Sequence, residues 1–289
     1  MATVLVIVAA KENSMDMQQG VLVVAHRGFR GIVPENTLEA ARKGFEAGAD
    51  WWELDVAATS DGTLVVIHDD TLVRTTDAKA VFPARAPWSV YDFTLAELGR
   101  LDAGSWYAAA DPFRQVRSGR VGAAELASFR GIRIPTLRAC LELTRDEGRE
   151  VNVEIKDATG RACDAWIVEK TVELVRELGM TGQVLVSSFN HEYLRRAKRA
   201  EPALDTGALV DERPEDPVAL LRNLGARSYN PGLKYLDEAT VAAVRAAGFD
   251  VFVWTVNETA DMRRVLAWGA TGIITDFPDR ALELLGRHR

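Results

Sequence analysis

Short runs of β-branched and other apolar residues alternate along the chain with stretches whose apolar residues recur every three or four positions. The first pattern is typical of buried strands, and the second of helices that pack one face against a sheet. Nine strands are predicted, at 21–25, 52–56, 64–68, 151–155, 184–188, 206–210, 227–230, 251–255 and 272–275. The alternation predicts βαβ units and therefore a parallel sheet.

Two of these strands are joined differently from the others. Only the seven residues AATSDGT separate strand 52–56 from strand 64–68. An Asp-Gly turn in a connection of that length joins antiparallel neighbours, whereas parallel strands need a crossover of about a dozen residues. We therefore interpret 64–68 as the hairpin partner of 52–56. The eight remaining strands predict an α/β fold, a (β/α)₈ TIM barrel.

Helical patterns fill most intervals between the strands, at 37–48, 136–148, 162–179, 190–200, 217–225, 238–248 and 258–269. The interval at about 70–133 is the exception, because it has several aromatic residues and three prolines but no strong periodicity. A connection of that length is usually functional or a small subdomain. We predict a small insertion after the second strand and its hairpin, over one face of the barrel.

The composition is that of one globular domain. Hydrophobic residues make up 47% of the 289 positions and charged residues 27%, which allows a full core. We assign residues 21–289 to the barrel domain and residues 1–20 to an N-terminal leader or extension. The apolar start MATVLVIVAA has no basic residue before it, so we expect a cytoplasmic protein, with export as the alternative.

Charge, hydropathy and cysteine content bear on possible partners. The formal net charge is −7 without a Lys and Arg cluster, which argues against nucleic acid. No stretch approaches the ~20 apolar residues of a transmembrane helix. Cys140 and Cys163 lie in helical patterns away from histidines, and we expect both to be reduced packing residues. The sequence does not indicate an oligomeric state.

Charged residues collect at the carboxyl ends of the predicted strands, which form the active face of a TIM barrel. They are His26 and Arg27, then Glu53 and Asp55, then Glu154 and Lys156, and His68 after the hairpin strand. Later strands end at Asn230, Trp254 and Asn257. Residues two apart on a strand share a face, so we expect Glu53 and Asp55 to point the same way.

The carboxylates of Glu53, Asp55 and Glu154 are therefore expected to converge in the barrel mouth. Buried anions are costly unless they pair with cations or bind a metal. Ion pairs with Arg27 and Lys156 are the structural alternative. A bound cation accounts better for so many ionisable groups, and an all-oxygen ligand set favours Mg²⁺ or Ca²⁺ over zinc.

Two of the four histidines end hydrophobic strands close to these carboxylates. One histidine in such a place is more often a hydrogen-bonded structural residue than a catalyst. His26 and His68 together, near a hard cation, suit phosphate-ester chemistry, in which one proton leaves the nucleophile and another reaches the leaving group. His191 and His288 lack such neighbours, and we expect them at the surface.

The run at residues 26–77, HRGFRGIVPENTLEAARKGFEAGADWWELDVAATSDGTLVVIHDDTLVRTTD, resembles the signature of the glycerophosphodiester phosphodiesterases. Later segments agree with this family in the same order, at 93–106, 134–143, 151–156, 187–190, 251–258 and 271–279. The resemblance implies a TIM barrel with a small insertion after the second strand. It also implies roles for eight residues: acid–base catalysis by His26 and His68, metal binding by Glu53, Asp55 and Glu154, phosphate contact by Arg27 and Lys156, and an aromatic contact near the substrate by Trp254.

Departures from the family pattern leave the choice of substrate open. Arg133 and Arg138 stand where acidic residues are common, and residues 114–133 extend the usual insertion. Six aromatic residues form either an apolar lid for a lipid tail or the insertion's own small core, and the core is the favoured interpretation: Trp88, Tyr91, Phe93, Trp106, Tyr107 and Phe113.

We therefore predict that the protein is a metal-dependent hydrolase that cleaves a glycerophosphodiester to glycerol 3-phosphate and an alcohol. The alternatives are a lysophospholipase D-like enzyme for single-chain lipids, an Mg²⁺-dependent enolase-type lyase and a non-catalytic sugar-phosphate binder. A lyase of that type takes its ligands from three successive strands, whereas Glu53 and Asp55 share one. No Ser, Cys or Thr stands in a nucleophile motif, so water or a substrate hydroxyl attacks, with His26 as the expected base and His68 as the acid.

Overall fold

The computed structural model describes residues 20–287, so residues 1–19 of the predicted leader and His288 lie outside the described part. Residues 20–287 form nine strands: β1 Leu22–Ala25, β2 Trp51–Ala58, β3 Leu64–Val66, β4 Glu150–Ile155, β5 Val184–Ser188, β6 Asp205–Val210, β7 Ser228–Pro231, β8 Asp250–Val253 and β9 Gly272–Thr275. Eight of them are parallel in the order β1-β9-β8-β7-β6-β5-β4-β2, and β1 pairs with β2 to close the barrel. The predicted (β/α)₈ barrel is confirmed.

The hairpin strand β3 lies antiparallel to the carboxyl end of β2. Val56 is opposite Val66, and Ala58 is opposite Leu64. Gly62 of the Asp-Gly turn has φ 83°, a left-handed conformation that glycine adopts without strain. The other backbone contacts of β3 are with residues 135–136, where Val65 is opposite Thr136, and not with a barrel strand, so β3 stands outside the ring of eight strands.

Helices follow the barrel strands, at Leu38–Ala47, Leu137–Asp146, Ile167–Glu177, His191–Ala200, Pro217–Leu224, Glu238–Ala246, Thr259–Ala267 and Pro278–Leu284. Short 3₁₀ helices lie at Val90–Asp92, Ala162–Ala165 and Leu233–Tyr235. The pattern predicts one helix over 162–179, whereas the structure divides it into a 3₁₀ turn and an α-helix. The last helix is absent from the predicted set; it begins with proline, which suits the first turn of a helix.

The region predicted as an insertion contains four short helices, Ala78–Val81, Leu95–Leu98, Trp106–Ala110 and Ala123–Ser128. Its apolar side chains form two clusters. One packs Phe93 and Leu72 against Val65 of β3, and the other packs Tyr107 with Phe129. Phe93 and Tyr107 are completely buried, so these two aromatic side chains belong to the core of the insertion and not to an exposed lid.

The amino-terminal half of the barrel interior is apolar. Trp51, Leu185 and Phe252 pack together there with Val24 and Ile274. Glu53 and Asp55 follow Trp51 along β2, so these carboxylates lie on the carboxyl side of this apolar layer, where the site is found. Cys140 and Cys163 are buried and unpaired, in agreement with their prediction as packing residues. Among the residues that the structure describes, no helix has both the length and the apolar character needed to cross a bilayer.

Candidate active site

The loop after β1 places His26 and Arg27 in the barrel mouth. Arg27 has φ 54° and Gly28 has φ 79°, so the chain turns sharply as the strand ends. A Cβ on Gly28 would lie 2.5 Å from the backbone of Ala40, and only glycine fits this close approach. The Arg27 backbone N–H donates to Glu53 Oε2 at 3.0 Å, which ties the turn to β2.

His26 lies between two carboxylates. Its Nδ1 is 2.7 Å from Asp276 Oδ1, and its Nε2 is 3.9 Å from Glu53 Oε2. Burial and the neighbouring Arg27 charge lower the pKa of His26 to about 4, although Asp276 acts in the opposite direction. His26 is therefore neutral at pH 7, with Nδ1–H donated to Asp276 and Nε2 free to accept a proton.

Glu53, Asp55 and Glu154 converge as the sequence predicts. Asp55 of β2 is opposite Glu154 of β4, and carboxylate oxygens of the three residues lie within 4.8 Å of one another. Burial, and then repulsion by Asp55 and Glu154, raises the pKa of Glu53 well above its ordinary value. Burial and Asp55 likewise raise the pKa of Glu154. In contrast, Arg27 and Lys156 outweigh burial at Asp55 and lower its pKa.

This cluster fits a divalent cation. Glu53 Oε1 and Asp55 Oδ1 are buried, and neither accepts a hydrogen bond from the residues that the structure describes. Buried carboxylate oxygens without donors are costly, and oxygen ligands are those that Mg²⁺ and Ca²⁺ prefer. The three residues could therefore hold such an ion.

The balance of charge in the site also favours a bound divalent cation. Ion pairs shorter than 4.0 Å connect six carboxylates with four cations and the two histidines: Glu35, Glu53, Asp55, Asp69, Glu154 and Asp276 with Arg27, Arg30, Arg74 and Lys156. The six carboxylates outnumber the four permanent cations by two, so two negative charges of this connected set remain without a permanently charged partner. One divalent cation would neutralise them.

Arg27 and Lys156 line the cluster from opposite sides of Asp55. Arg27 Nε is 3.2 Å from Asp55 Oδ2, and Lys156 Nζ is 3.5 Å from Asp55 Oδ1 and 2.7 Å from Glu154 Oε1. The carboxylates outweigh burial and raise the pKa of both cations, so both stay charged. Their ion pairs match the structural alternative, but among the described residues they give Glu53 Oε1 no partner and reach Asp55 Oδ1 only through Lys156 at 3.5 Å, without a hydrogen bond.

His68 lies after β3 and is more accessible than His26, with one third of its side chain exposed. Its Nδ1 is 2.7 Å from Asp69 Oδ1. Arg74 donates to both oxygens of Asp69, at 2.7 and 2.8 Å. The second histidine is thus also held through Nδ1 by an aspartate.

The later strand ends contribute aromatic and amide groups. Trp254 packs edge-on against Phe189, with ring centroids 5.5 Å apart, and donates its Nε1–H to the Asn230 carbonyl at 2.8 Å. Asn257 donates to Asp276 Oδ2 at 2.7 Å, while the Asn230 side chain accepts from Ser228 inside the barrel. His191 is half-buried with Nε2 2.9 Å from the Leu209 carbonyl, so it is neither a surface residue nor part of this site.

Several residues of the site are absent from the sequence-based set. Glu35 accepts from Arg27, Arg30 and Arg74, and Asn36 donates to Asp55 Oδ2 at 2.8 Å. Asp276 lies directly after β9, so the rule that selects charged residues at strand ends also selects Asp276. Glu35, Arg30 and Arg74 lie in loops, where neither periodicity nor a strand end indicates their partners.

The sequence of this chain is similar to those of known phosphodiesterases. Residues 26–280 match the model of the Glycerophosphoryl diester phosphodiesterase family. A glycerophosphodiester phosphodiesterase of Caldanaerobacter subterraneus subsp. tengcongensis is 37% identical over 264 residues, 91% of this chain and 97% of the relative. The enzyme of that name from Bacillus subtilis is 31% identical over 94% of this chain and 88% of the relative.

A similar solved structure is that of an Oleispira antarctica phosphodiesterase in complex with the product sn-glycerol-3-phosphate. It superimposes with a TM-score of 0.75 and 28% identity, over 92% of this chain and 96% of the other. Its fold is therefore the same barrel over nearly the whole length of both chains.

Proposed function

Because this chain belongs to the glycerophosphoryl diester phosphodiesterase family, we propose that it hydrolyses glycerophosphodiesters to glycerol 3-phosphate and an alcohol. The observation that carries the proposal is the convergence of three carboxylates, two histidines and two permanent cations at the carboxyl ends of β1, β2, β3 and β4. The family match favours this hydrolase over the enolase-type lyase and over a binder without catalysis.

We assign the anionic end of the substrate to Arg27 and Lys156. Both cations are permanently charged, and Arg27 has a planar group suited to phosphate oxygens. Glu53, Asp55 and Glu154 hold the metal, Mg²⁺ or Ca²⁺. A divalent cation at that position supplies positive charge that offsets the charge developing on the phosphoryl oxygens.

Proton transfer is assigned to the two histidines. His26 is neutral and accepts a proton at Nε2 from the 2-hydroxyl of the glycerol moiety, whose oxygen then forms a bond to phosphorus. His68 donates a proton to the alcohol oxygen as its bond to phosphorus breaks. The product is a cyclic glycerophosphate and the free alcohol.

Water then opens the cyclic phosphate with the roles of the histidines reversed. One new P–O bond forms, the bond to the 2-oxygen breaks, and both histidines return to their first protonation state with glycerol 3-phosphate as product. Direct attack of water on the diester gives the same products and is the alternative route.

A lysophospholipase D-like activity is the second candidate for the substrate, and it requires a surface for a lipid tail. Phe93 and Tyr107, two of the aromatic residues considered for such a surface, are completely buried in the insertion. Trp88, Tyr91, Trp106 and Phe113 are half-buried. The glycerophosphodiester with a small alcohol is therefore the preferred substrate.

The test is a panel of diesters from glycerophosphocholine to lysophosphatidylcholine, assayed on chelated protein with Mg²⁺ or Ca²⁺ added back. We expect release of glycerol 3-phosphate from glycerophosphocholine with at least one of the two ions. A preparation that binds these ions and cleaves no member of the panel would contradict the proposal. Cleavage of the lysolipid alone would support the second candidate.

A further inference from the structure

The two histidines of the site are held in the same way from opposite sides. His26 Nδ1 is 2.7 Å from Asp276 Oδ1, and His68 Nδ1 is 2.7 Å from Asp69 Oδ1. Each aspartate also faces an arginine. Arg30 Nη1 is 3.6 Å from Asp276 Oδ1, and Arg74 donates to both oxygens of Asp69.

Both arginines meet on one carboxylate, that of Glu35. Arg74 forms a bidentate pair with it, donating to Oε2 at 2.9 Å and to Oε1 at 2.8 Å. Arg30 Nη2 is 3.0 Å from Oε2. A continuous line of hydrogen bonds and ion pairs therefore joins the two histidines, which we call the histidine network: His26, Asp276, Arg30, Glu35, Arg74, Asp69 and His68.

We propose that Glu35 is a positioning residue that orients both histidines through this network, by fixing the arginines that in turn fix Asp276 and Asp69. The proposal rests on the function proposed above and adds the residue on which the two proton-transfer groups jointly depend. The carboxylate of Glu35 pairs with arginines and with neither histidine, so Glu35 itself takes no part in proton transfer.

Burial and charge explain why the residue must be a carboxylate. Only 3% of the Glu35 side chain is exposed, and its two oxygens accept four short contacts from Arg27, Arg30 and Arg74. These arginines outweigh burial and hold the pKa of Glu35 well below its usual range. A neutral amide of the same shape offers one acceptor oxygen and two donors that face cations.

The loop that carries Glu35 is itself fixed at both sides. Asn36 has φ 57°, and its backbone N–H donates to the Arg27 carbonyl at 2.9 Å. Thr37 caps the helix Leu38–Ala47 by accepting from the Ala40 N–H at 3.1 Å, and its hydroxyl donates to the Pro34 carbonyl at 2.8 Å. Glu35 is thus placed by contacts of its neighbours that do not involve the arginine side chains.

The experiment compares two substrates that differ in their need for an acid. Glycerophosphocholine releases an alkoxide that must be protonated, whereas the p-nitrophenyl ester of glycerophosphate releases a stable phenolate. Arg74→Met and Arg30→Met each disconnect one histidine, and Glu35→Gln disconnects both. Arg74 is 40% exposed, and Glu35 still faces Arg27 and Arg30 when Arg74 is replaced.

We expect Arg74→Met, which disconnects the acid His68, to slow glycerophosphocholine turnover by about tenfold or more while changing the aryl ester less than about threefold. Arg30→Met disconnects the base His26 and should slow both substrates. Glu35→Gln slows both, and glycerophosphocholine more strongly.

The matched control is Glu169→Gln, which also removes a carboxylate that pairs with two nitrogens of one arginine, Arg196, but on the outer helix Ile167–Glu177. Its kcat values should equal those of the wild type. Equal loss on both substrates in Arg30→Met, Arg74→Met and Glu35→Gln would overturn the proposal, and so would wild-type kcat in all three. If the wild-type protein cleaves neither substrate, the proposed function fails instead.

Discussion

Asp276 holds His26 by one hydrogen bond of 2.7 Å, between Oδ1 and Nδ1, across 250 positions of the chain. Asn257 donates to the other oxygen of Asp276, also at 2.7 Å, so the carboxylate itself cannot turn. Nearby positive groups and these hydrogen bonds outweigh burial and lower the pKa of Asp276, which keeps it an acceptor. The bond therefore fixes the tautomer in which Nε2 of His26 is unprotonated.

Replacement of Asp276 by Asn should reduce kcat with little change in KM. The amide can donate to Nδ1 and favour the wrong tautomer, and the loss should be at least about a hundredfold, the scale of a misplaced proton acceptor. Steady-state kinetics with glycerophosphocholine as substrate measure kcat and KM of the variant. Asp279→Asn is the control, since Asp279 lies three residues further on, in the first turn of the helix Pro278–Leu284, but is partly exposed and pairs with Arg120. Unchanged kcat in Asp276→Asn would show that the bond has no catalytic consequence.

The carboxylate cluster leads to a prediction about metal binding. Replacement of Glu154 by Gln should weaken Mg²⁺ or Ca²⁺ affinity by at least about tenfold, since changes to groups outside the ligand set alone cost ~10–100-fold. Calorimetric titration of chelated protein measures the affinity. Glu150→Gln, at the other end of β4, should bind the ion like the wild type. Full activity of chelated, metal-free protein would contradict a metal role altogether.

The raised pKa of Glu53 predicts a pH dependence of stability in chelated protein. Its pKa in the folded state lies above the ordinary value near 4.5, so the folded state holds the extra proton between the two values. Stability is then lost as pH rises through that window, because deprotonation adds a buried negative charge to the cluster. Glu53→Gln removes this loss.

The measurement for Glu53 is the difference in melting temperature between Glu53→Gln and wild type. In chelated protein this difference should increase as the pH is raised above about 4.5, the ordinary glutamate value. In the presence of saturating Mg²⁺ or Ca²⁺ the trend should reverse, because the metal stabilises only the protein with its full ligand set. A pH-independent difference in chelated protein would mean that Glu53 titrates normally.

The two histidines and the three clustered carboxylates could be predicted from the sequence because each lies within or directly after a strand that periodicity already identifies. His26, Glu53 and Glu154 need no knowledge of a distant partner, only the rule that parallel strands end at one face. Glu35 and Arg74 could not be predicted in this way. Their 39-residue separation carries no periodic signal, and their pairing depends on how the insertion packs over the loop after β1.

The internal structure of the insertion could not be predicted from the sequence either. Its short helices have four to six residues, too few to show an amphipathic period, so the sequence indicates only a long connection. Its two clusters form between residues far apart in the chain, as between Phe129 and Val33. Burial of Phe93 and Tyr107 follows from that packing and not from any local pattern.

Residues 114–133 should therefore act through stability and not through substrate choice. Val121, Phe129 and Ile132 are buried with Tyr107, so deletion of the segment uncovers an apolar cluster. We expect equal relative loss of kcat/KM on glycerophosphocholine and on lysophosphatidylcholine. The point variant Phe129→Ala should lower the free energy of unfolding by about 3–5 kcal/mol. Arg117→Ala, at an exposed position of the same segment, is the control. A loss of kcat/KM on lysophosphatidylcholine alone would instead indicate that the segment binds the lipid tail.

The final prediction distinguishes the two routes of attack on phosphorus. The neutral His26 has no serine, cysteine or threonine nucleophile in a recognisable motif, so either the glycerol 2-hydroxyl or water attacks. If the 2-hydroxyl attacks, a 2-deoxy analogue should bind with similar affinity yet turn over at least about a hundredfold more slowly, the scale of a lost reacting group. In ¹⁸O-labelled water the cyclic intermediate of the normal substrate should form without label, and only the final glycerol 3-phosphate should carry it. Normal turnover of the deoxy analogue, with ¹⁸O incorporated in the first step, would show that water attacks directly and that the 2-hydroxyl serves only in binding.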